Sequence, residues 1–574
     1  MLRIRICIGR PIVGPVVLGY CIPPFLSFES LTLPRPVALL RALPLLLLAG
    51  LLSLPVLALL GAWLPWGAAQ APAGAILREM ATTVLPGYVW TTLWLALWVG
   101  VGTALVGTAA AAAVTLFDFP GRRMFEWLLL LPLAMPAYVT AYAYTDFLQF
   151  SGPLQVGLRE AFGLEGRLLP EVRSLWGAIW VFLFALYPYV YLLARTALGE
   201  RAAHLMEAAR LLGAPLSRRI ATIALPLARP AVAAGVALVL METLADFGVT
   251  SYFGIQTFTT GILKAWLSMD NRTAAAQLST MLLALVMGLL WLEHRAQRRM
   301  RFSAAGPGHA AAAEALPVPL RGVRCGLAWL VCAVPVLMGF VAPVAFMLRP
   351  LASDWSVLPW GRFLEWAWNS VRLGGITAGL AVVVALALAF AVRRRPDLLT
   401  RGVVRLASVG YAVPGAVIVV GLLLPVGWLQ DQFPNWGIGA LVTTTAVGIV
   451  WAYLVRFCAV ALQSVQSGYA RIPASLDDSA RMLGARSGRL LTRVHWPLLR
   501  RSTAAAALLV FVDVMKELPA TMVLRPFNSD TLAVVAYQLA RDERLGEAAL
   551  PSLALVLVGL VPVMLLSRTL RSRD

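Results

Sequence analysis

The sequence predicts an all-α polytopic membrane protein with about twelve transmembrane helices, arranged as two parallel pseudo-repeats of six. Three observations predict it. Hydrophobic residues make up 60% of the 574-residue chain and charged residues only 13%, with a mean hydropathy of +0.79, whereas soluble domains carry about 25% charged residues. The apolar residues gather in runs near the roughly 20 residues that a bilayer-spanning helix needs, without the alternation that marks a membrane β-barrel. Polar and helix-breaking landmarks recur between the halves: Thr92 with Ser370 and Pro136 with Pro414 at an offset of 278, Gly213 with Gly484 and Pro226 with Pro497 at 271.

The elements follow in chain order. Residues 1–36 are basic at first and then interrupted by prolines; they read as an N-terminal extension, disordered or mis-started, because the prolines break the apolar core of a signal peptide. The first half, 37–293, holds spans at roughly 38–62, 90–116, 125–147, 174–195, 229–253 and 274–293. Residues 294–322 form a cytoplasmic linker containing "GPGHAAAAEALPVP" (306–319), flexible by composition. The second half, 323–574, holds spans at roughly 324–348, 370–392, 404–427, 437–463, 502–524 and 550–568. Six is an even number, so both halves enter and leave the membrane in the same sense. The pseudo-twofold axis then lies along the membrane normal, with a pathway at the interface of the halves. Prolines at Pro132, Pro136, Pro188 and Pro414 are placed to bend spans beside that pathway.

The net charge of +20 comes almost wholly from arginine, since the chain has two lysines, Lys264 and Lys516. The arginines cluster in alternate loops, among them Arg122 and Arg123, Arg218 and Arg219, Arg298 and Arg299, and Arg393 to Arg395. Loops on that side carry roughly three times the Lys and Arg of the other, which makes them, and both termini, cytoplasmic. Charge laid out this way, with no nucleic-acid-binding motif, points to a lipid bilayer and excludes nucleic acid as a partner. Cys7, Cys21, Cys325, Cys332 and Cys458 form no CxxC pair and read as small hydrophobes. His204, His294, His309 and His495 lack metal-ligand spacing and read as solvated loop residues.

Two segments depart from the apolar pattern. "MEAARLLGAPLSRRIATIALP" (206–226) places Leu205, Ala209 and Leu212 at helical spacing, and "LDDSARMLGARSGRLLTRVHWP" (476–497) does the same with Leu476, Ala480 and Leu483. Gly213 and Gly484 follow where a helix C′ residue needs positive φ. A lone copy would read as an amphipathic helix on the bilayer surface. Two copies on the cytoplasmic side, with the same internal spacing, suit a two-fold symmetric partner.

Spans five and eleven carry acids: Glu242 and Asp246 in one, Asp513 and Glu517 with Lys516 in the other, Glu242 matching Asp513 and Asp246 matching Glu517 at the 271 offset. The i, i+4 spacing places each pair on one helix face. A charge at the bilayer centre costs about 2.5–3.5 kcal/mol on insertion scales, so these acids face each other, a basic partner or a water-filled path. An internal ion-pair network with Lys516 or Arg456 and a role in permeation are the two readings.

The pattern Glu207-Ala208-Ala209, three residues, Gly213, nine residues, Ile223-x-x-Pro226 resembles the cytoplasmic signature loop of binding-protein-dependent ABC importer permeases. The second copy departs, with Asp478, Ser479 and Ala480 for Glu-Ala-Ala and Val494-His495-Trp496-Pro497 at its end. The stretch "MKELPATMVLRPFNSDTLAVVAYQLARDERLGEAALPSLALV" (515–556) resembles fused twelve-span ferric-iron permeases. The resemblance implies a type I importer fold, with Glu207, Ala208, Ala209, Gly213, Pro226, Asp478, Ser479, Ala480, Gly484 and Pro497 docking an ABC ATPase subunit. It further implies a homodimeric ATPase, a periplasmic binding protein received by outer loops such as 159–173 and 528–547, and Fe3+ as cargo. Carboxylates suit a hard cation. A P-loop needs lysine after glycine, and neither Lys264 nor Lys516 follows one, so ATP and Mg belong to the partner subunit and the chain is no enzyme. Glu242, Asp246, Asp513 and Glu517 are the translocation-path candidates; no metal-ligand set is assignable. Importers of thiamine, phosphonate or polyamine are rivals of the same class. An ion-coupled secondary transporter, which needs no ATPase, and a non-transporting scaffold are rivals of other classes.

Overall fold

The computed structural model describes residues 36–61, 63, 73–200, 202–301, 317–353, 355 and 358–571. The extension expected before residue 36, Cys7, Cys21, His309 and most of the proline-rich linker lie outside the described residues, as do the side chains of His204 and His294. The first half opens with α1 (Pro36–Gly61), α2 (Ala73–Thr82), α3 (Leu85–Leu116), α4 (Arg122–Leu128), α5 (Ala137–Leu148) and α6 (Pro153–Phe162). It continues with α7 (Leu175–Glu200), α8 (Ala202–Leu211), α9 (Leu216–Arg219), α10 (Leu225–Ala245), α11 (Gly248–Tyr252), α12 (Phe258–Leu267) and α13 (Arg272–Arg301). In the second half come α14 (Val323–Val336), α15 (Ala342–Ser353), α16 (Trp360–Arg394), α17 (Leu398–Val409), α18 (Gly415–Gln432) and α19 (Ile438–Thr444). There follow α20 (Ala446–Tyr469), α21 (Ala474–Met482), α22 (Ser487–Arg489), α23 (Trp496–Lys516), α24 (Pro519–Leu524), α25 (Leu532–Arg541) and α26 (Leu545–Arg571).

Among the described residues ten helices are long and apolar enough to cross a membrane, eleven when the bent pair Arg122–Ala134 and Ala137–Phe162 counts as one span. The expected twelfth, at 502–524, falls outside that set because α23 carries Arg500, Arg501, Asp513 and Lys516. Its 21 residues still reach about 31 Å at 1.5 Å per residue. Two spans expected as single helices are broken at repeat-related prolines. The first bends by 90° where Pro136 is extended, with φ −61° and ψ 140°. The second passes through a tight turn at Gly410–Ala412 before Pro414, with φ −58° and ψ 143°. Proline donates no N–H to the preceding turn, so a helix that meets it starts afresh there.

Each half is built on three packed helices: α3, α7 and α10 in the first, α16, α20 and α23 in the second. Small residues let them approach. Gly107 of α3 and Gly235 of α10 flank Val190 of α7 so closely that a Cβ on either would lie 2.7 Å from it. The first helix of each half crosses to cover the other half. α1 lies on α17 and α18, and Trp451 Nε1 donates to the Leu51 carbonyl at 2.8 Å. α14 and α15 lie on α3 and α5, where the Tyr144 hydroxyl donates to the Met338 carbonyl at 2.7 Å and Phe147 stacks on Phe346 at 3.9 Å. The end of the expected flexible linker is in fact pinned: Val318 and Pro319 (β2) pair in parallel with Phe117 and Asp118 (β1), and Trp329 Nε1 donates to the Pro120 carbonyl at 2.8 Å. Cys332 and Cys458 are buried and Cys325 partly so, all as free thiols.

Candidate translocation site and docking segments

The acid-bearing helices break at the same place in both halves. α10 stops at Ala245 and Asp246 is extended, with φ −70° and ψ 136°; α23 stops at Lys516 and Glu517 is extended, with φ −72° and ψ 125°. The expectation that each acid pair shares one helix face is therefore corrected, because the second acid has left the helix. The cause is the turn that follows. Asp246 Oδ1 accepts from the backbone N–H of Val249 at 2.9 Å and of Thr250 at 3.4 Å. The Glu517 carboxylate accepts from the N–H of Ala520 at 3.1 Å and of Thr521 at 3.0 Å, and from the Thr521 hydroxyl at 2.9 Å. Each acid caps the short helix beyond it, α11 or α24, whose first N–H groups have no partner within the helix.

The two breaks face one another across a cavity of about 490 Å³ between the halves. All four expected acids, Glu242, Asp246, Asp513 and Glu517, line it together with Tyr411, Arg456 and Lys516. Glu242 Oε1 accepts from the Tyr411 hydroxyl at 3.1 Å, a bond between the halves. Arg456 Nη1 sits 3.1 Å from Glu517 Oε1, with the two side chains 15% and 2% exposed. The ion pair with Arg456, one of the two expected basic partners, is present; Lys516 instead donates to the Leu133 carbonyl at 2.9 Å, again across the halves. Asp513 accepts no hydrogen bond among the described residues, which leaves its carboxylate open to the cavity. No group of three or more His, Cys, Asp or Glu is placed to hold a metal ion among the described residues. Tyr138, Tyr189, Tyr411 and Arg456 add to the cavity's polar lining; Arg456 was legible as a charge inside an apolar span, whereas the tyrosines carry no such signal.

The two signature segments have the same geometry. Glu207 pairs with Arg210 at 3.8 Å and Asp478 with Arg481 at 3.2 Å, each i, i+3 on the surface of α8 or α21. Gly213 and Gly484 have φ of 79° and 80°. The N–H after each reaches back to the carbonyl of Ala209 or Ala480 at 3.0 Å, closing the helix with the six-to-one bond that left-handed glycine permits. Ala208 and Ser479 are exposed, Ala209 and Ala480 partly buried. The ends of both helices present bare apolar side chains: Leu211 is 83% and Leu212 88% exposed, Met482 90% and Leu483 89%. Beyond the glycines, π-turns at Ile220–Ala224 and Leu490–His495 lead into α10 and α23, with Pro226 and Pro497 in their first turns. One continuous rod thus joins each signature segment to an acid-bearing break.

The segments differ in what seats them. Asp477 is buried beneath α21 and receives Arg393 Nε at 2.8 Å and His495 Nε2 at 2.9 Å. Burial alone would raise the Asp477 carboxyl, but the hydrogen bonds and charges of Arg393 and His495 outweigh it and hold it below its ordinary value of 3.8. The expectation of a solvated His495 is overturned: its ring is fully buried, because the π-turn carries it under α21 into reach of Asp477.

Residues 103–302 and 381–573 both match the family described as "Binding-protein-dependent transport system inner membrane component". The chain belongs to that family. It is an ABC-importer permease subunit with two copies of the family's domain, and the family is one that works with a binding protein. Among its relatives, the permease is 25% identical to the Fe(3+)-transport system permease protein FbpB 2 of Haemophilus influenzae, over 83% of this chain and 88% of that protein. It is 23% identical to the probable ABC transporter permease protein y4fN of Sinorhizobium fredii, over 84% and 87%. It is 28% identical to the putative 2-aminoethylphosphonate transport system permease protein PhnU of Salmonella choleraesuis, over 37% of this chain and 76% of that protein.

Proposed function

We propose that this permease carries Fe3+, delivered by a periplasmic binding protein, into the cytoplasm when a homodimeric ATPase subunit closes against α8 and α21. The observation that carries the reading is the cavity itself: four carboxylates from repeat-related positions converge between the halves, and each acid-bearing helix runs without a chain break from a docking segment. Along α10 or α23, about 17 residues at 1.5 Å per residue put the acids roughly 25 Å from the first helical turn. A displacement at the docking end reaches the cavity through a rigid element. The exposed apolar pairs Leu211–Leu212 and Met482–Leu483 supply what an ATPase groove would bury.

The site suits passage of a hard cation. Oxygen donors dominate its polar lining, and the lack of a metal cage among the described residues fits a cargo that is passed on. The full-length likeness to a protein named for Fe3+ transport supports iron, while the 2-aminoethylphosphonate likeness covers only part of the chain. With both termini cytoplasmic, the α8 and α21 end faces the cytoplasm and the α6 and α25 end faces the binding protein.

The test is reconstitution of the permease in vesicles with a partner ABC ATPase and an iron-loaded periplasmic binding protein. Radioactive iron should accumulate only with ATP and the loaded binding protein. Gly213→Pro or Glu207→Arg should leave the protein inserted and ATP hydrolysed while uptake is lost. Uptake of thiamine, a phosphonate or spermidine in place of iron would remove the substrate assignment, and full-rate transport without nucleotide would remove the ATP-driven mechanism.

A further inference from the structure

The buried chain Arg393–Asp477–His495–Tyr469 has no counterpart among the described residues of the first half. Arg393 ends α16, Tyr469 ends α20, Asp477 lies on α21 and His495 closes the π-turn that opens α23. Four elements of the second half meet there. Arg393 also donates through Nη2 to the Ile472 carbonyl at 3.0 Å, holding the loop between α20 and α21. His495 Nε2–H donates to Asp477 Oδ1 at 2.9 Å, and Nδ1 shares a hydrogen bond with the Tyr469 hydroxyl 3.3 Å away. The imidazole lies edge-on to Tyr469 and Phe390, with centroids 5.2 and 5.7 Å distant. The charged and titratable groups facing His495 are thus Asp477 from α21, Arg393 from α16 and Tyr469 from α20.

At the repeat offsets these positions are Thr115, Met206, Ala224 and Leu198. Met206, Ala224 and Leu198 are buried in one apolar cluster, and the Thr115 hydroxyl is spent on the Ala111 carbonyl of its own helix at 2.7 Å. α8 therefore rests on apolar contacts and on one hydrogen bond to a neutral acceptor, from Arg219 Nη1 to the Met206 carbonyl at 3.3 Å, with no buried ion pair among the described residues. Dispersion contacts tolerate sliding at little cost. A buried, hydrogen-bonded ion pair does not, because separating it leaves an uncompensated charge.

We propose that Arg393, Asp477, His495 and Tyr469 are positioning residues that make α21 a rigid lever on the second half, so that ATPase closure is transmitted mainly through α21. α21 is tied through Asp477 and His495 to Tyr469 at the end of α20, and α20 carries Arg456 about 20 Å further along at 1.5 Å per residue. Arg456 grips Glu517, the cap of the cavity's second break. Among the described residues α8 has no such tie to α7, where Ala185 stands at the place of Arg456. This rests on the docking role assigned above to α8 and α21.

The experiment uses the permease reconstituted with its ATPase and binding protein, and reads cargo moved per ATP hydrolysed alongside ATPase retention and thermal stability. Asp477→Asn removes the charge and keeps the shape. A second variant gives the lower seat the first half's own solution: Arg393→Thr, Tyr469→Leu, Asp477→Met and His495→Ala together. Both should retain the ATPase while cargo per ATP falls roughly tenfold, a size that residues along a coupling route can command. Met206→Leu, at the matching place in the first half, should leave the ratio within about twofold, as volume-conserving apolar swaps do. An unchanged ratio in the four-site variant would overturn the proposal. So would loss of insertion or of ATPase retention in that variant, since the cluster would then serve folding alone. Leu212→Asp with Leu483→Asp separates this from the docking reading: if the ATPase stays bound to that protein, the docking assignment itself falls.

Discussion

The two halves solve the same mechanical problem with different chemistry. At the cavity, the Asp246 carboxylate is held by the backbone N–H groups of Val249 and Thr250, whereas that of Glu517 has both N–H groups and Arg456. At the other end of the long helices, α8 sits on Met206, Leu198 and Ala224, whereas α21 sits on an ion pair. The second half thus carries an ion pair at both ends of α23, where the first has backbone hydrogen bonds at one end of α10 and mainly apolar contact at the other. The backbone is nevertheless the same in both: glycines at φ near 80°, π-turns into the long helix, an extended acid after it. What the repeat conserves is the path of the chain. Its side chains at these places differ between the halves.

The largest effect should come from breaking the pair that only the second half has. Arg456→Leu leaves Glu517 buried with no counter-charge, which costs about 3–5 kcal/mol. Thermal unfolding in detergent should register it as the largest loss among these variants. A loss no greater than about 1 kcal/mol, the ordinary worth of a cap, would mean that backbone N–H groups suffice for Glu517 as they do for Asp246, and the contrast between the breaks would vanish.

A smaller effect sharpens the same contrast. Asp246→Ala removes a cap from α11 and should cost about 1 kcal/mol. Glu517→Ala should cost several times more, since it also strands the Arg456 guanidinium at 15% exposure. Equal losses in the two alanine variants would show that the guanidinium finds another partner when Glu517 is removed.

Much of this was legible in the sequence, and the exceptions have physical reasons. Long apolar runs marked the spans, and the offsets of 278 and 271 marked the repeat, because burial in lipid and helix termination both depend on local residue type. The breaks at Asp246 and Glu517 were hidden because hydropathy runs on through Phe247 and Leu518. The signal that could have found them is an acid two residues before Gly248 or Pro519, which is a cap followed by a helix start. His495 was misplaced for another reason. Its partner Asp477 is 18 residues away on a different helix, and burial of that pair depends on how α21 folds back over the π-turn. The crossing of α1 and α14 onto the opposite halves left no local trace, since an apolar helix surface does not state which partner it will meet.

The smallest effect separates the two docking seats by pH. The folded Asp477 carboxyl lies below its ordinary 3.8, so the unfolded seat binds its proton first as acid is added. The stability it contributes is therefore complete above 3.8 and is lost as pH falls through its lower folded value. In acid, the amide of Ala485, which closes α21 on the Ala480 carbonyl, should lose protection from hydrogen exchange before that of Ala214, which closes α8 on Ala209. Met206 cannot titrate, so the α8 seat has no reason to loosen at the same pH. Simultaneous loss at Ala485 and Ala214 would mean that the bundle opens as one unit, and that the charged seat beneath α21 holds nothing that the apolar seat beneath α8 does not.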